Sequence, residues 1–390
     1  MLDLPLPDAD ALEQSARLTA LIGSEIIAAG GWIPFYRYME LALYAPGLGY
    51  YAGGARKFGI GGDFITAPGL TPLFGQALAA QVEEIMRASA REAIEVGAGD
   101  GHLAADLLCE LEIRHCLPEH YGILEISAEL RARQRETLFR RAPRLAARVH
   151  WLDSLPETFS GVVLANEALD AMPLHMIAAK NGGIYERGVT LAATDAPRAF
   201  AWEDRPARAA VLEAARRLPL PPGGEGEYVT EINLAAAAWI SAWGARLRQG
   251  ALLLIDYGYP RDEFYLPSRA KGTLMCHYRH RAHDDLFLWP GLVDITGSVD
   301  FTAMAEAGFD AGLDVLGYAS QGQFLLNCGL LDCLARRGPR DGADYLRAAS
   351  AVQKLTLPRE MGELFKALAL GRGIGSALLG FARGDRCHAL

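Results

Sequence analysis

Apolar residues recur at helical spacing through ALEQSARLTALIGSEIIAAG, which predicts a first helix capped by Asp8 or Asp10 and stopped at Gly30 and Gly31. A second helix is expected through PFYRYMELALY, with Pro34 at its first turn and Pro46 closing it. The stretch from Gly47 to Pro72 is too rich in glycine for a helix or a central strand. At 26 residues it is long for a connection, so it reads as a binding loop or lid. A third helix is predicted through LFGQALAAQVEEIMRAS.

From residue 92 the pattern changes. Short apolar runs (EAIEV, YGILEIS, VHWL, GVVLANE, ALLLID, DVLGY) alternate with amphipathic segments such as HLAADLLCELE and AELRARQRETLFRRA. Strands alternating with helices argue a parallel sheet covered on both faces, an α/β fold. The series is interrupted over about 174–229, where HMIAAKNGGIYERGVTLAAT predicts a hairpin turning at Asn181-Gly182-Gly183. This interruption is expected to be an insertion covering the site. The chain thus divides into an N-terminal helical extension with its glycine-rich loop (1–90) and a sheet domain (91–390). Residues 340–370 are expected to return to helices, with SALLGFARG as a final edge strand.

With 390 residues, 51% hydrophobic and 22% charged, the chain can bury a large core, and global disorder is excluded. Lys and Arg number 38 against 47 Asp and Glu, a net charge of −9, which argues against a general nucleic-acid binder. The six cysteines form no CxxC pair, as expected of reduced thiols. The acidic N-terminus predicts neither a signal nor a transit peptide, and no apolar run reaches a membrane span. A cytoplasmic protein is the expectation.

The chemistry begins at Glu95-Val96-Gly97-Ala98-Gly99-Asp100-Gly101, closely spaced glycines between a strand and a helix. Such a turn lets a ligand approach the backbone without meeting Cβ atoms. The nicotinamide fingerprint needs glycine at position 102, where His102 stands. The acid-x-Gly-x-Gly-x-Gly pattern suits S-adenosyl-L-methionine, which carries a sulfonium, an ammonium and no phosphate. Glu95 is then favourable, and no P-loop lysine is needed. Glu125, at the end of the second strand, is placed to accept both ribose hydroxyls. The plain alternative is a tight turn and a solvated strand-end acid. After the third strand, Asp153 is either the partner of an adenine amino group or an ordinary loop acid.

The fourth strand ends in Asn166-Glu167-Ala168-Leu169-Asp170-Ala171-Met172-Pro173. No Asn/Asp-Pro-Pro-aromatic tetrapeptide is present, which counts against methylation of nucleobase amines. Paired carboxylates, Glu167 and Asp170, suit a cationic acceptor such as a guanidinium. The alternative is a helix cap and an amide brace. Asp256 ends the ALLLID strand. Glu231 in YVTEI reads as a helix-start cap. Cys276-His277-Tyr278-Arg279-His280-Arg281-Ala282-His283 spaces three histidines by three; without HExxH or a Cys/His quartet, no metal is expected, and His280 reads as a cleft residue.

These segments together resemble the MidA-like family of S-adenosylmethionine-dependent methyltransferases, which includes the mitochondrial arginine methyltransferase needed for complex I assembly. The likeness runs through PFYRYMELALYAPGLGYY, GDFITAPGLTPLFGQA, EVGAGDG, ANEALDAMP, IDYG, GTLMCHYRH and VDITGSVDF, over roughly residues 20–330. The resemblance implies a class I methyltransferase domain, Rossmann-like with a mostly parallel seven-stranded sheet, plus the N-terminal extension and inserted cover. It also implies that Asp63 and Thr66 lie near the cofactor's methionine end, beside Glu95, Gly97, Gly99, Gly101, Glu125, Asp153 and Asn166. Eukaryotic relatives work in the mitochondrial matrix and dimethylate an arginine symmetrically. The expected activity is protein-arginine N-methylation, with Glu167, Asp170, Asp256 and His280 as candidate catalytic residues. A small-molecule methyltransferase and a non-catalytic assembly factor are the competing readings.

Overall fold

The computed structural model describes residues 4–53, 66–193, 195–196, 198–220, 226–375 and 377–390. The chain forms two compact units, one of residues 1–64, 170–236 and 261–300, the other of 65–169, 237–260 and 301–390.

In the second unit the buried apolar runs form one sheet. Its strands are Glu92–Val96 (β1), His120–Leu124 (β2), Val149–Leu152 (β3), Phe159–Asn166 (β4), Leu247–Tyr259 (β5), Asp314–Ser320 (β6) and Phe365–Arg372 (β7). They lie in the order β6-β7-β5-β4-β1-β2-β3. Pairings from β5 through β4, β1 and β2 to β3 are parallel, while β7 runs antiparallel to both neighbours. β4 and β5 are apolar along most of their length because helices cover both faces, which removes any polar-out alternation. The strand order reverses between β1 and β4, so their carboxyl ends open the crevice where open α/β sheets bind ligands.

The helix Leu73–Ala88 packs Phe74, Leu78, Val82 and Ile85 into the same core as Leu103, Leu107, Tyr121, Val162 and Leu253. A division at residue 90 therefore does not follow the packing, because this helix spends its apolar face on the sheet. The C-terminal region also differs from expectation. Residues 365–372 are a strand between β5 and β6, whereas the SALLGFARG segment holds only a short 3-10 turn, Leu379–Phe381. The alternation of Phe365–Arg372 is hidden because both its faces are buried.

The first unit is built on an antiparallel sheet in the order Ile33–Pro34, Gly183–Leu191, His175–Lys180, Tyr228–Ile232, with Phe200–Pro206 also paired to Gly183–Leu191. The predicted hairpin is present, and Asn181 and Gly182 both have positive φ (51° and 71°), as a type I′ turn requires. Its apolar core brings Tyr38 of the helix Phe35–Tyr44 onto Phe200 and Phe287 and Phe35 onto Trp202, with Tyr38 Oη donating to the Leu286 carbonyl at 2.8 Å. Residues 261–300 belong to this unit as well, so it is larger than an insertion of 174–229. Glu231 is not a helix cap: it lies within the strand Tyr228–Ile232, and Asn233 caps the following helix by accepting from the Ala236 amide at 2.8 Å.

Candidate cofactor and acceptor site

The glycine turn follows β1 directly. Gly97, Gly99 and Gly101 have φ of 64°, 53° and 83°, a region where side chains are strained. The Gly97 amide donates to the Leu124 carbonyl at 3.0 Å, tying the turn to the end of β2. A Cβ on Gly101 would stand 3.0 Å from the Gln134 Cα, so this position needs glycine for close helix approach as well as for φ. Gly101 is the N-terminal cap of the helix His102–Ile113.

Glu95 points from β1 into the buried interior, where the Tyr121 hydroxyl donates to its Oε2 at 2.6 Å. Burial pushes its carboxyl up to about 7, against the lowering effect of that bond. Glu125 lies just past β2 and is also buried. Its Oε1 accepts from the Ser127 amide at 2.8 Å and its Oε2 from Gln134 Nε2 at 3.1 Å. Burial raises its pKa, opposed by these two donors, the Ile126 amide and the charge of Arg131. Asp153 follows β3 with its side chain 88% exposed and ion-paired to Arg131 at 2.7 Å. Arg131 also donates to the carbonyls of Glu125 and Leu152, lacing the ends of β2 and β3 together.

Asn166 closes β4 and donates from Nδ2 to Glu167 Oε1 at 3.1 Å, while its buried Oδ1 accepts no hydrogen bond from the described residues. Glu167 has φ of 52°, uncommon for a residue with a Cβ, and its amide donates to the Ile255 carbonyl at 2.8 Å. Its Oε1 also lies 3.3 Å from the Ala67 amide. Ala168 sits 3.7 Å from where a Gly97 Cβ would be, which brings the β4 loop onto the glycine turn. Glu167, Asn166 and the turn therefore share one end of the sheet. Asp256, near the end of β5, is buried, with Oδ2 accepting from the Leu169 amide and Oδ1 from the Tyr257 amide, both at 2.9 Å. Two backbone amides on one carboxylate make it a brace for the β4 loop.

Asp170 begins the next segment of the other unit. It is buried, its carbonyl accepts from the Gly297 amide, and burial pushes its carboxyl up to about 7. His280 and Arg279 form the exposed turn between the strands Met275–Tyr278 and Arg281–His283, both with positive φ. The three histidines do not share one environment. His283 is buried, its Nδ1 taking the Asp285 amide at 3.3 Å, and burial lowers the pKa of both His277 and His283. Among the described residues no group of three or more His, Cys, Asp or Glu is arranged to hold a metal ion. Thr66 stands at the N-cap of the short helix Ala67–Leu70 without a side-chain capping bond, and Asp63 lies outside the described residues.

Sequence reading missed Gln134. It is fully buried, donating to Glu125 Oε2 and to the Gly99 carbonyl at 3.0 Å and accepting from the Trp151 indole at 2.8 Å. The signal was faint: a glutamine four residues after Leu130, on the buried face of an otherwise strongly charged helix, Ala128–Arg141.

A sheet in this order, with a glycine turn after β1 and an acid after β2, defines an enzyme of the class I methyltransferase type. Residues 73–319 match the family of S-adenosyl-L-methionine-dependent methyltransferases, and the chain belongs to that family. A protein from Burkholderia thailandensis, solved with S-adenosyl-homocysteine bound, is 53% identical over the whole of both chains with a TM-score of 0.94. Protein arginine methyltransferase NDUFAF7 of Danio rerio, mitochondrial, is 29% identical over 88% of this chain and 84% of its own length. Its Drosophila melanogaster homolog is 26% identical over 96% of this chain and 89% of its own. Among the described residues no helix is long and apolar enough to cross a membrane.

The residues fit the family's cofactor. The turn from Glu95 to Gly101 contains no lysine or arginine, the glycines leave room for close approach, and Asn166 Oδ1 and Glu125 are acceptors matched to cationic and hydroxyl donors.

Proposed function

We propose that the chain is a protein-arginine N-methyltransferase in which Glu125, Asn166 and the turn Gly97, Gly99 and Gly101 hold S-adenosyl-L-methionine, with Glu95 beneath the turn. Thr66, Asp63 and Asp153 are the further candidates at the cofactor's two ends. The bound cofactor supplies an electrophilic methyl group on a sulfonium. The observation that carries the acceptor side is Glu167, a carboxylate at the carboxyl end of β4 whose backbone is pinned to β5 and whose loop rests on the glycine turn. A guanidinium matches such a group through charge-assisted hydrogen bonds, which orient one nitrogen for attack and hold the others. Asp170, three residues on, is the second candidate carboxylate, and its raised pKa makes its charge dependent on pH near 7. The relatives named as arginine methyltransferases support the same acceptor and a protein substrate.

The test is labelling. The pure protein and radiolabelled S-adenosyl-L-methionine are added to extract from cells lacking this enzyme, and the labelled band is digested and sequenced by mass spectrometry. Methylarginine in one or a few proteins is expected. Label confined to the small-molecule fraction would move the assignment to a small-molecule methyltransferase. Cofactor binding with no transfer to any fraction would favour a non-catalytic assembly factor.

A further inference from the structure

We infer that Gln134 is the positioning residue of the cofactor site: its single amide aims the Glu125 carboxylate and holds the glycine turn, so cofactor affinity depends on a residue acting only through its neighbours. The inference rests on the cofactor reading above. The amide uses both of its hydrogens and its oxygen in one orientation. Nε2 gives one hydrogen to Gly99 O and the other to Glu125 Oε2, while Oε1 takes the Trp151 indole hydrogen. Turning the amide over would set Oε1 against a carbonyl and a carboxylate, and Nε2 against an N–H. The indole, a donor only, thus fixes which end of the amide faces the ligand side. Arg135 stacks over the same indole at 4.5 Å and helps hold it.

The consequence for Glu125 is directional. Its Oε1 is held by the Ser127 amide and its Oε2 by Gln134, so both oxygens are fixed in position as acceptors for a ribose hydroxyl. The same side chain anchors Gly99 in the middle of the turn. Gly101, where a Cβ would meet Gln134 Cα at 3.0 Å, lets the helix carrying Gln134 come close enough to do this. One glutamine therefore sets the spacing between the two cofactor-facing elements and ties them to β3.

The test measures binding of S-adenosyl-homocysteine to the full chain by titration calorimetry at pH 6 and pH 8. Gln134→Met removes all three bonds, and affinity is expected to fall about tenfold. Gln134→Glu sets a carboxylate against Glu125 and the Gly99 carbonyl. At pH 8 it should bind more weakly than Gln134→Met. Toward pH 6 its deficit relative to wild type should shrink, because the buried new carboxyl is protonated and regains one donor. Nearby charged groups are Glu125 with Glu95, Asp100 and His102 on the turn, and Arg131, Asp153 and Arg135 toward β3. Wild type carries them all, so the variant-to-wild-type ratio isolates position 134. Loss of packing alone would give a ratio that does not change with pH. Folded variants that bind within about twofold of wild type at both pH values, or a Gln134→Glu ratio flat with pH, would overturn the inference. Should the Gln134 variants fail to fold, Trp151→Phe, which removes the orienting N–H together with part of the ring under Arg135, decides: affinity at least about threefold weaker, with a melting temperature close to wild type, supports the inference, and a smaller change in affinity overturns it. Wild type failing to bind would bring down the cofactor reading and this inference together, whereas tight wild-type binding with unaffected variants would bring down this inference alone.

Discussion

A carboxylate is costly to hold still, and Glu167 is held by several groups at once. Its left-handed backbone, its amide on Ile255 and the donors Asn166 Nδ2 and Ala67 N all restrict it before any ligand arrives. Such restriction serves orientation, since the ordering entropy is spent in folding rather than in binding. Glu167→Gln keeps the shape and an oxygen to accept those bonds but removes the charge that matches a guanidinium. Turnover is expected to fall by on the order of a hundredfold, with cofactor affinity nearly unchanged and melting temperature little altered. Steady-state methyl transfer, calorimetric binding and a melting curve on the one variant check this. A parallel loss in all three would assign Glu167 to bracing.

At the scale of elements, the loop after β4 is suspended from β5. Ile255 O holds Glu167, and Asp256 holds Leu169 and Tyr257 through one carboxylate. Asp256→Asn can satisfy only one of those two amides with its oxygen; its NH2 then faces a buried donor. That mismatch costs about 1–3 kcal/mol and releases one end of the loop. Melting temperature and turnover should therefore fall together, unlike in Glu167→Gln. An Asp256→Asn protein with wild-type melting and lost turnover would instead return Asp256 to the acceptor site. The strand was readable in ALLLIDYG, but the use of the acid was not, because the Leu169 amide it accepts from lies 87 positions away in the chain.

Across the whole molecule, four buried acids weigh most in the response to pH, opposed in part by His277 and His283, whose burial favours the folded chain as pH rises. Burial holds Glu95, Asp170 and Glu231 at about 7 and Asp106 at about 6, above the ordinary 4.5 of Glu and 3.8 of Asp. Between those limits the native chain binds more protons than the unfolded chain. Stability from these groups is therefore fully present below the unfolded values and is lost as pH rises through the folded ones. Glu83 and Asp204, whose pKa values are lowered, act at the other end, losing their contribution as acid protonates them. The melting temperature is expected to be lower at pH 8.5 than at pH 5.5 by on the order of 5 °C. Glu231→Gln should flatten part of this slope. Its amide oxygen can still accept from the Thr273 and Leu274 amides that Glu231 Oε1 now takes, and it carries no charge to bury. Equal or higher melting at pH 8.5 would refute the account.

Local rules were enough for the strands that open the sheet, for the glycine turn and for Asn181-Gly182, because each depends on periodicity or on backbone freedom that only neighbouring residues control. The positions of Glu125 and Glu167, one residue past the ends of β2 and β4, were legible for the same reason: the apolar run stops there. Long-range packing settled the rest. β7 is buried on both faces and carries no alternation to read, so its place between β5 and β6 comes from sheet closure. Glu231, read as a cap, became a buried acceptor because the amides of Thr273 and Leu274 come to it from more than 40 residues away. Gln134 joins a helix, a turn and two strands through bonds spanning 9, 17 and 35 positions, and no local pattern encodes a partner chosen by the folded chain.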